Sequence, residues 1–308
     1  MKKKFLSVVL VASLIANLLT SYIPRCNAKE VEESIDVQEY IESLADEYGE
    51  DVEVEHSVET VEEDEVTDIV ETEQDVMDTR VSKEDGIKYF VETYIEDGVK
   101  YIKAYSEDME YVSLTAIEDE NSVTSEVYTK TDDAEYEKNT IEITAENVET
   151  QSVKAQDVRY NGPVVNTKIR GKYYYQEGYG YDSKKKKKNG KAYLKIGCNY
   201  HYRLRTDNLS DSKQDKVLAY KSSIRKSNSC AYKAEAVLVG SGVSLGVLAG
   251  LIWANIICPA TVIVDICVAA FGGGAIVTAA HFIIDSFDYV GDAHDYYEVI
   301  KKYYGTRI

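Results

Sequence analysis

The chain reads as an α+β protein with an acidic N-terminal region, a basic antiparallel β region and a C-terminal glycine-rich hydrophobic helical hairpin. Three observations support this reading. Charge is segregated along the 308 residues: residues 1–28 carry +4, 29–150 carry −33, 151–233 carry +14 and 234–308 carry −4, giving the net −19. Apolar and polar residues alternate at intervals between residues 99 and 202, the period of half-buried strands. Residues 236–284 contain only Asp265, His281, Cys258 and Cys267 as titratable groups. A composition of 44% hydrophobic and 29% charged residues argues against collagen, coiled coil or wholesale disorder.

Residues 1–28 read as a secretory signal peptide. Lys2, Lys3 and Lys4 precede an uncharged run from Phe5 to Leu19, and Cys26-Asn27-Ala28 places small residues before a cleavage site at Lys29. The run is short for a bilayer-spanning anchor. Arg25 stands where a lipoprotein signal wants a small residue, so cleavage after Ala28 is expected over lipidation at Cys26.

Residues 29–80 are expected to be acidic and largely disordered, with one helix on Ile35, Tyr40, Ile41, Leu44 and Tyr48. Residues 81–150 read as an acidic α+β module or pro-region. Ser82 caps an expected helix that carries Ile87, Phe90, Val91, Tyr94 and Ile95 on its apolar face and ends at Asp97-Gly98. A meander follows: Val99, Tyr101, Lys103 and Tyr105 alternate, as do Tyr111, Ser113, Thr115 and Ile117, with further strands near residues 123–129 and 140–144.

Residues 151–233 read as a basic, tyrosine-rich β region, with turns at Asn161-Gly162 and Asn189-Gly190. Lys184, Lys185, Lys186, Lys187 and Lys188 repel one another and are expected at an exposed hairpin tip. They read as a solvated loop or as a contact for anionic lipid, teichoic acid or the acidic half of the chain. Nucleic acid is not the expected partner of an exported chain.

Residues 234–308 read as the hydrophobic hairpin and an amphipathic tail. Split at Cys258-Pro259, they give helices over residues 236–257 and 261–284, each long enough for a hydrocarbon layer of about 30 Å. Gly242, Gly246 and Gly250 recur every four residues on the first. Glycine inside a helix costs roughly 1 kcal/mol against alanine in water, and close helix–helix approach in a membrane is the usual compensation. Gly272, Gly273 and Gly274 supply a small-residue surface or hinge on the second helix. With Trp253 on the first helix and Pro259 at the bend, these glycines are the candidate residues for insertion, helix packing and homo-oligomerisation in a target-cell membrane. The competing reading is a buried hairpin at the centre of a water-soluble protein. Asp265 argues against a static lipid-facing span. In the tail, Phe287, Val290, Tyr297, Ile300 and Tyr304 share one helical side.

Cys198, Cys230, Cys258 and Cys267 remain after signal cleavage. They read either as disulfides, most locally Cys198–Cys230 and Cys258–Cys267, or as buried free thiols. No metal or cofactor is expected. His281 with Asp285, and His294 after Asp292, are too few ligands. Neither HExxH, GxSxG nor a P-loop occurs, so enzymatic chemistry is not expected.

One stretch carries a resemblance. Lys191-Ala192-Tyr193-Leu194-Lys195-Ile196-Gly197-Cys198-Asn199-Tyr200 and Arg203-Leu204-Arg205-Thr206-Asp207-Asn208-Leu209 precede the glycine-rich segment bent at Pro259 and the closing Tyr303-Tyr304-Gly305-Thr306. In this layout, over residues 160–306, the chain resembles the large secreted geobacillin-type bacteriocins of Gram-positive bacteria. The resemblance implies an exported antibacterial protein with no defined receptor. The expected function is a secreted, membrane-permeabilising antibacterial protein whose acidic region acts as pro-region or shield. The alternative is an exported cell-surface binding protein anchored by the hairpin.

Overall fold

The computed structural model describes residues 51–119, 121–131, 135–146, 165–168, 173–182, 187–197, 201–205 and 209–303. The signal peptide, the helix expected on residues 35–48, Asn161-Gly162, Lys184, Lys185, Lys186 and Cys198 lie outside them. The fold is mixed α+β. Among the described residues it has a seven-stranded antiparallel sheet, a four-stranded sheet and five helices.

The first strand forms in a segment expected to be largely disordered. β1 (Asp51–Val61) pairs antiparallel with β7 (Tyr136–Glu146), placing Val52 opposite Ala145 and Val54 opposite Ile143. Val52 and Val54 are buried while Glu53, Glu55 and Glu59 point away, so the acidic residues occupy the other side of a period-two strand. Helix α1 (Glu63–Glu71) follows, with Glu63, Asp64 and Glu65 in its first turn, where the helix dipole favours negative charge. The disorder expected over most of residues 29–80 is thus corrected for residues 51–71, which β1 and α1 occupy. Dense charge hid a two-residue period.

The helix expected from Ser82 is also corrected. β2 (Asp78–Glu84) and β3 (Ile87–Glu96) form a hairpin across Asp85-Gly86, whose φ values are +51° and +93°. Two consecutive positive φ angles define the tight turn that matches strand twist. Asp97-Gly98 repeats the device, at +51° and +86°, between β3 and β4 (Val99–Ser106). Ile87, Phe90, Val91 and Tyr94 mimic a helical stripe, but the two turns fix the chain as strands. The expected meander stands in β4, β5 (Tyr111–Asp119), β6 (Ser122–Lys130) and β7. The sheet order is β1-β7-β6-β5-β4-β3-β2.

The two faces of this sheet differ. On one, Val112 and Tyr128 sit beside Tyr105 and Lys138, with Tyr136 alongside, and Val66 of α1 packs into them. Charged pairs line this face: Lys103 Nζ lies 3.2 Å from Glu92, and Lys138 Nζ lies 2.8 Å from Glu126 and 3.3 Å from Glu59. The other face carries small and β-branched residues in cross-strand rows. One row runs Val91, Ala104, Ser113, Val127; the next runs Ile102, Thr115, Ser125, Ile141. All eight are buried.

The four-stranded sheet, in order β11-β10-β9-β8, comprises β8 (Val165–Lys168), β9 (Tyr174–Asp182), β10 (Lys187–Gly197) and β11 (His201–Arg205). Lys187 and Lys188 open β10 opposite Asp182 and Tyr181, and the register shifts between Lys188 and Ala192. Asn189-Gly190 is therefore an irregularity inside a strand and not the expected hairpin turn. The β region does not extend to residue 233. Helix α2 (Asp211–Leu238) takes over, burying Val217, Tyr220, Ile224, Ser227, Ala231, Ala234 and Leu238 at helical spacing.

The expected hairpin of two membrane-length helices becomes four helices. After α2 come α3 (Leu245–Ala254), α4 (Ala260–Phe271) and α5 (Gly273–Lys301). Among the described residues no helix is long and apolar enough to cross a membrane. α2 and α5 pair along most of their length. α3 packs against β6 and β7, α4 against β2, β3 and β4, and both also touch α5. The α3–α4 pair is thus a middle layer, sheet on one side and outer helices on the other. A helix that is apolar all round must be enclosed on all sides, and every residue of α3 is buried. The amphipathic tail expected after residue 285 is the second half of α5, burying Phe287, Val290, Tyr297 and Ile300.

Candidate functional site: the contact between the acidic sheet and the apolar helices

The sequence nominates its site residues chiefly in the glycine-rich helices, and the structure separates them. Gly242 lies outside any helix at φ +82°, while Gly246 and Gly250 are buried within α3. The continuous stripe on one helix is therefore corrected, because the chain turns at Gly240 and Gly242. Trp253 is 6% exposed and its ring meets Phe287, centroids 5.4 Å apart. Pro259 caps the start of α4, where its missing N–H leaves no donor unpaired. Gly272, Gly273 and Gly274 form the α4–α5 junction, where an added Cβ would meet nothing within 4 Å. They do not line a helix contact. Cys230, Cys258 and Cys267 are buried free thiols, so the Cys258–Cys267 disulfide is corrected, as is any bridge to Cys230. Burial raises all three, Cys258 to about 12, so they are poor nucleophiles.

What the fold brings together is a set of polar contacts around an apolar interface. At its centre the Tyr111 hydroxyl donates to Asn255 Oδ1 at 2.6 Å and lies 2.8 Å from Ser113 Oγ. Asn255 Nδ2 donates in turn to the Leu251 carbonyl at 2.9 Å, and the Cys258 thiol to the Asn255 carbonyl at 2.8 Å. Asn255 is completely buried, and a buried amide persists only when hydrogen-bonded. Burial drives the Tyr111 hydroxyl well above its ordinary range, which keeps it a donor.

The sheet also holds α4 at both ends. Thr261, in the first turn, lies 3.4 Å from Glu84 at the end of β2. Lys100 Nζ of β4 donates to the Ala270 carbonyl in the last turn at 2.9 Å. An acid at a helix start and a cation at its end oppose the helix dipole, and α4 has no such charges of its own in its terminal turns. Between them Arg80 Nη1 meets Asp265 Oδ1 at 3.4 Å, with Asp78 on the same guanidinium at 3.3 Å. Desolvation raises the Asp265 carboxyl, and Arg80 offsets this in part.

The sequence reading named none of Arg80, Glu84, Lys100, Tyr111 or Asn255 as site residues. Asn255 had a signal: it is the only amide side chain between Leu245 and Phe271. The others are single polar residues in a segment rich in them.

The small sheet docks on the outer helices. Tyr173 Oη lies 2.6 Å from His294 Nδ1, and Arg225 Nε donates to the Tyr175 hydroxyl at 2.7 Å. His294 thus joins the packing of the small sheet on α5. Along the outer helices, cations of α2 cover rings of α5: Lys216 over Tyr296, Lys226 over Tyr289 and Lys233 over Phe282. No group of residues that could hold a metal ion occurs among the described residues.

In comparison with known proteins, no family model, no curated protein and no solved structure matches this chain.

Proposed function

We propose that this is an exported, membrane-permeabilising antibacterial protein kept water-soluble by its acidic sheet. The observation that carries the reading is the middle layer. α3 and α4 are apolar on nearly every side, and a separate polar module covers them and holds α4 at both ends. The N-terminal export pattern and the resemblance to secreted bacteriocins support the same reading. The +14 segment supplies attraction to anionic envelopes.

The described part of the shield covers apolar helices. Among the described residues, the ion pairs of the acidic sheet run within the sheet, to α1 or to Asp265. Among the described residues, the sheet lies against the apolar α3 and α4, and its charge keeps that cover soluble.

Dye-loaded vesicles of phosphatidylglycerol test the reading. The whole exported chain, or the chain clipped within residues 147–164, is expected to release dye. Absence of release from both would overturn it. A second reading is favoured by the shortness of α3 and α4: the hairpin is core only, in an exported globular protein. An anchored cell-surface binding protein would instead stay with the producer's membrane on fractionation.

A further inference from the structure

Two breaks divide the C-terminal helices, and they stand at the same level. The first carries Gly240 and Gly242, both at φ +82°; the second carries Gly272 and Gly273, at +71° and +79°. An added Cβ at Gly240, Gly272 or Gly273 would meet nothing within 4 Å. Backbone angle, and not crowding, calls for glycine at these positions.

The pairing of α2 with α5 shows what the breaks interrupt. Lys226 lies over Tyr289 at 4.9 Å and Lys233 over Phe282 at 5.4 Å. The members of each pair are equally distant along the chain from the Ile257–Cys258 bond, which falls in the α3–α4 connection. Gly242 and Gly273 are also equidistant from that bond. The outer helices therefore keep the register of one long hairpin turning at residues 257–258, bent double at facing glycines. Trp253 shows how far it is bent. Its ring rests on Phe287, whereas a straight hairpin would hold the two roughly 37 Å apart.

We infer that residues 239–274 are a hinged arm that straightens about these facing glycines and enters the hydrocarbon of an anionic bilayer, an inference that rests on the membrane-acting reading above. Bringing Gly240 and Gly242 to helical angles joins α2 to α3, and the same change at Gly272 and Gly273 joins α4 to α5. Residues 239–257 then form a limb of about 28 Å, matching a hydrocarbon layer of about 30 Å. Gly242, Gly246 and Gly250 return to one helix at four-residue spacing, where they suit close packing of limbs or of neighbouring copies. Asp265 is the arm's one carboxylate. In the bent form it faces Arg80, with Asp78 beyond; it enters lipid in its acid form.

Trp253 is the only tryptophan, so its fluorescence reports the arm directly. The whole exported chain is mixed with dye-loaded phosphatidylglycerol vesicles whose acyl chains are brominated near the bilayer centre. Quenching of Trp253 together with dye release is expected. The Gly240→Ala/Gly273→Ala variant, strained only in the bent form, is expected to quench about tenfold faster. Release without quenching would overturn the arm and leave membrane action standing. Quenching without release would support the arm and overturn permeabilisation. Neither signal would overturn both. A folded double variant that quenches no faster would overturn the hinge, and if that variant fails to fold, quenching of the natural chain decides.

Discussion

The inner helices α3 and α4 and the outer helices α2 and α5 come from one continuous stretch of chain, yet they solve different burial problems. The outer pair is amphipathic. Tyr220, Ile224, Ala234, Ile283, Phe287 and Val290 face inward, while Lys213, Lys216, Lys226 and Lys233 stay in water over aromatic rings. The inner pair has almost no polar side to offer. It is stable in water only because the sheet and the outer helices enclose it together. A helix with two wet sides belongs to one neighbour, whereas a helix with none depends on every layer around it.

That dependence can be broken at single side chains, with an outer-layer substitution as the reference. Leu248→Ala, in α3, removes a side chain with no exposure and is expected to lower stability by about 2–5 kcal/mol in urea unfolding. Leu218→Ala on the outer helix, 58% exposed, is expected to change it by less than about 0.5 kcal/mol. Equal losses at the two sites would abolish the distinction between layers. Tyr111→Phe leaves Asn255 without its partner across the sheet and is expected to cost about 1–3 kcal/mol. Lys100→Met removes the cation at the α4 end, an expected loss of about 0.3–1 kcal/mol that shrinks in high salt.

The effect of pH sharpens the comparison further. Desolvation raises Asp265 in the inner layer, and Asp285 and Asp292 on α5. A carboxyl raised on folding binds its proton more tightly in the folded state. These groups therefore add stability as pH falls through their folded range, and the gain is complete below the unfolded value of about 3.9. Asp265→Asn removes this contribution. The difference between variant and natural chain is expected to be largest at pH 7 and to close toward pH 4 in urea titrations. If Arg80 pairing governed this carboxyl instead, the natural chain would be the more stable of the two at pH 7 and would lose that advantage on acidification; a difference independent of pH would mean that desolvation and pairing cancel. The same variant is expected to speed Trp253 quenching by brominated vesicles at neutral pH, because no charge then opposes entry.

Much of the meander was legible because β4, β5, β6 and β7 alternate cleanly. β2 and β3 were not, because Ile87, Phe90, Val91 and Tyr94 satisfy a helical period by chance while Asp85-Gly86 and Asp97-Gly98 carry the stronger signal for tight turns. β1 was hidden because its glutamates suggest a self-repelling tether when they occupy one side of a strand. α2 was missed beneath its lysines. The contact site was almost illegible. Arg80, Glu84 and Lys100 become neighbours of α4 only through sheet register, and no local pattern encodes that pairing.

Sequence alone determined which residues must leave water: a run with scarcely a charge from residue 236 to 284, punctuated by glycines, has no stable place in solvent. It left open whether lipid or protein receives them, because hydrophobicity has no direction and both environments satisfy it. Tertiary structure decided for protein in the described state. The positive φ angles at Gly240, Gly242, Gly272 and Gly273 fold the run back on itself, and the seven-stranded sheet supplies, in cross-strand register, the apolar face and the two end charges that the inner helices lack.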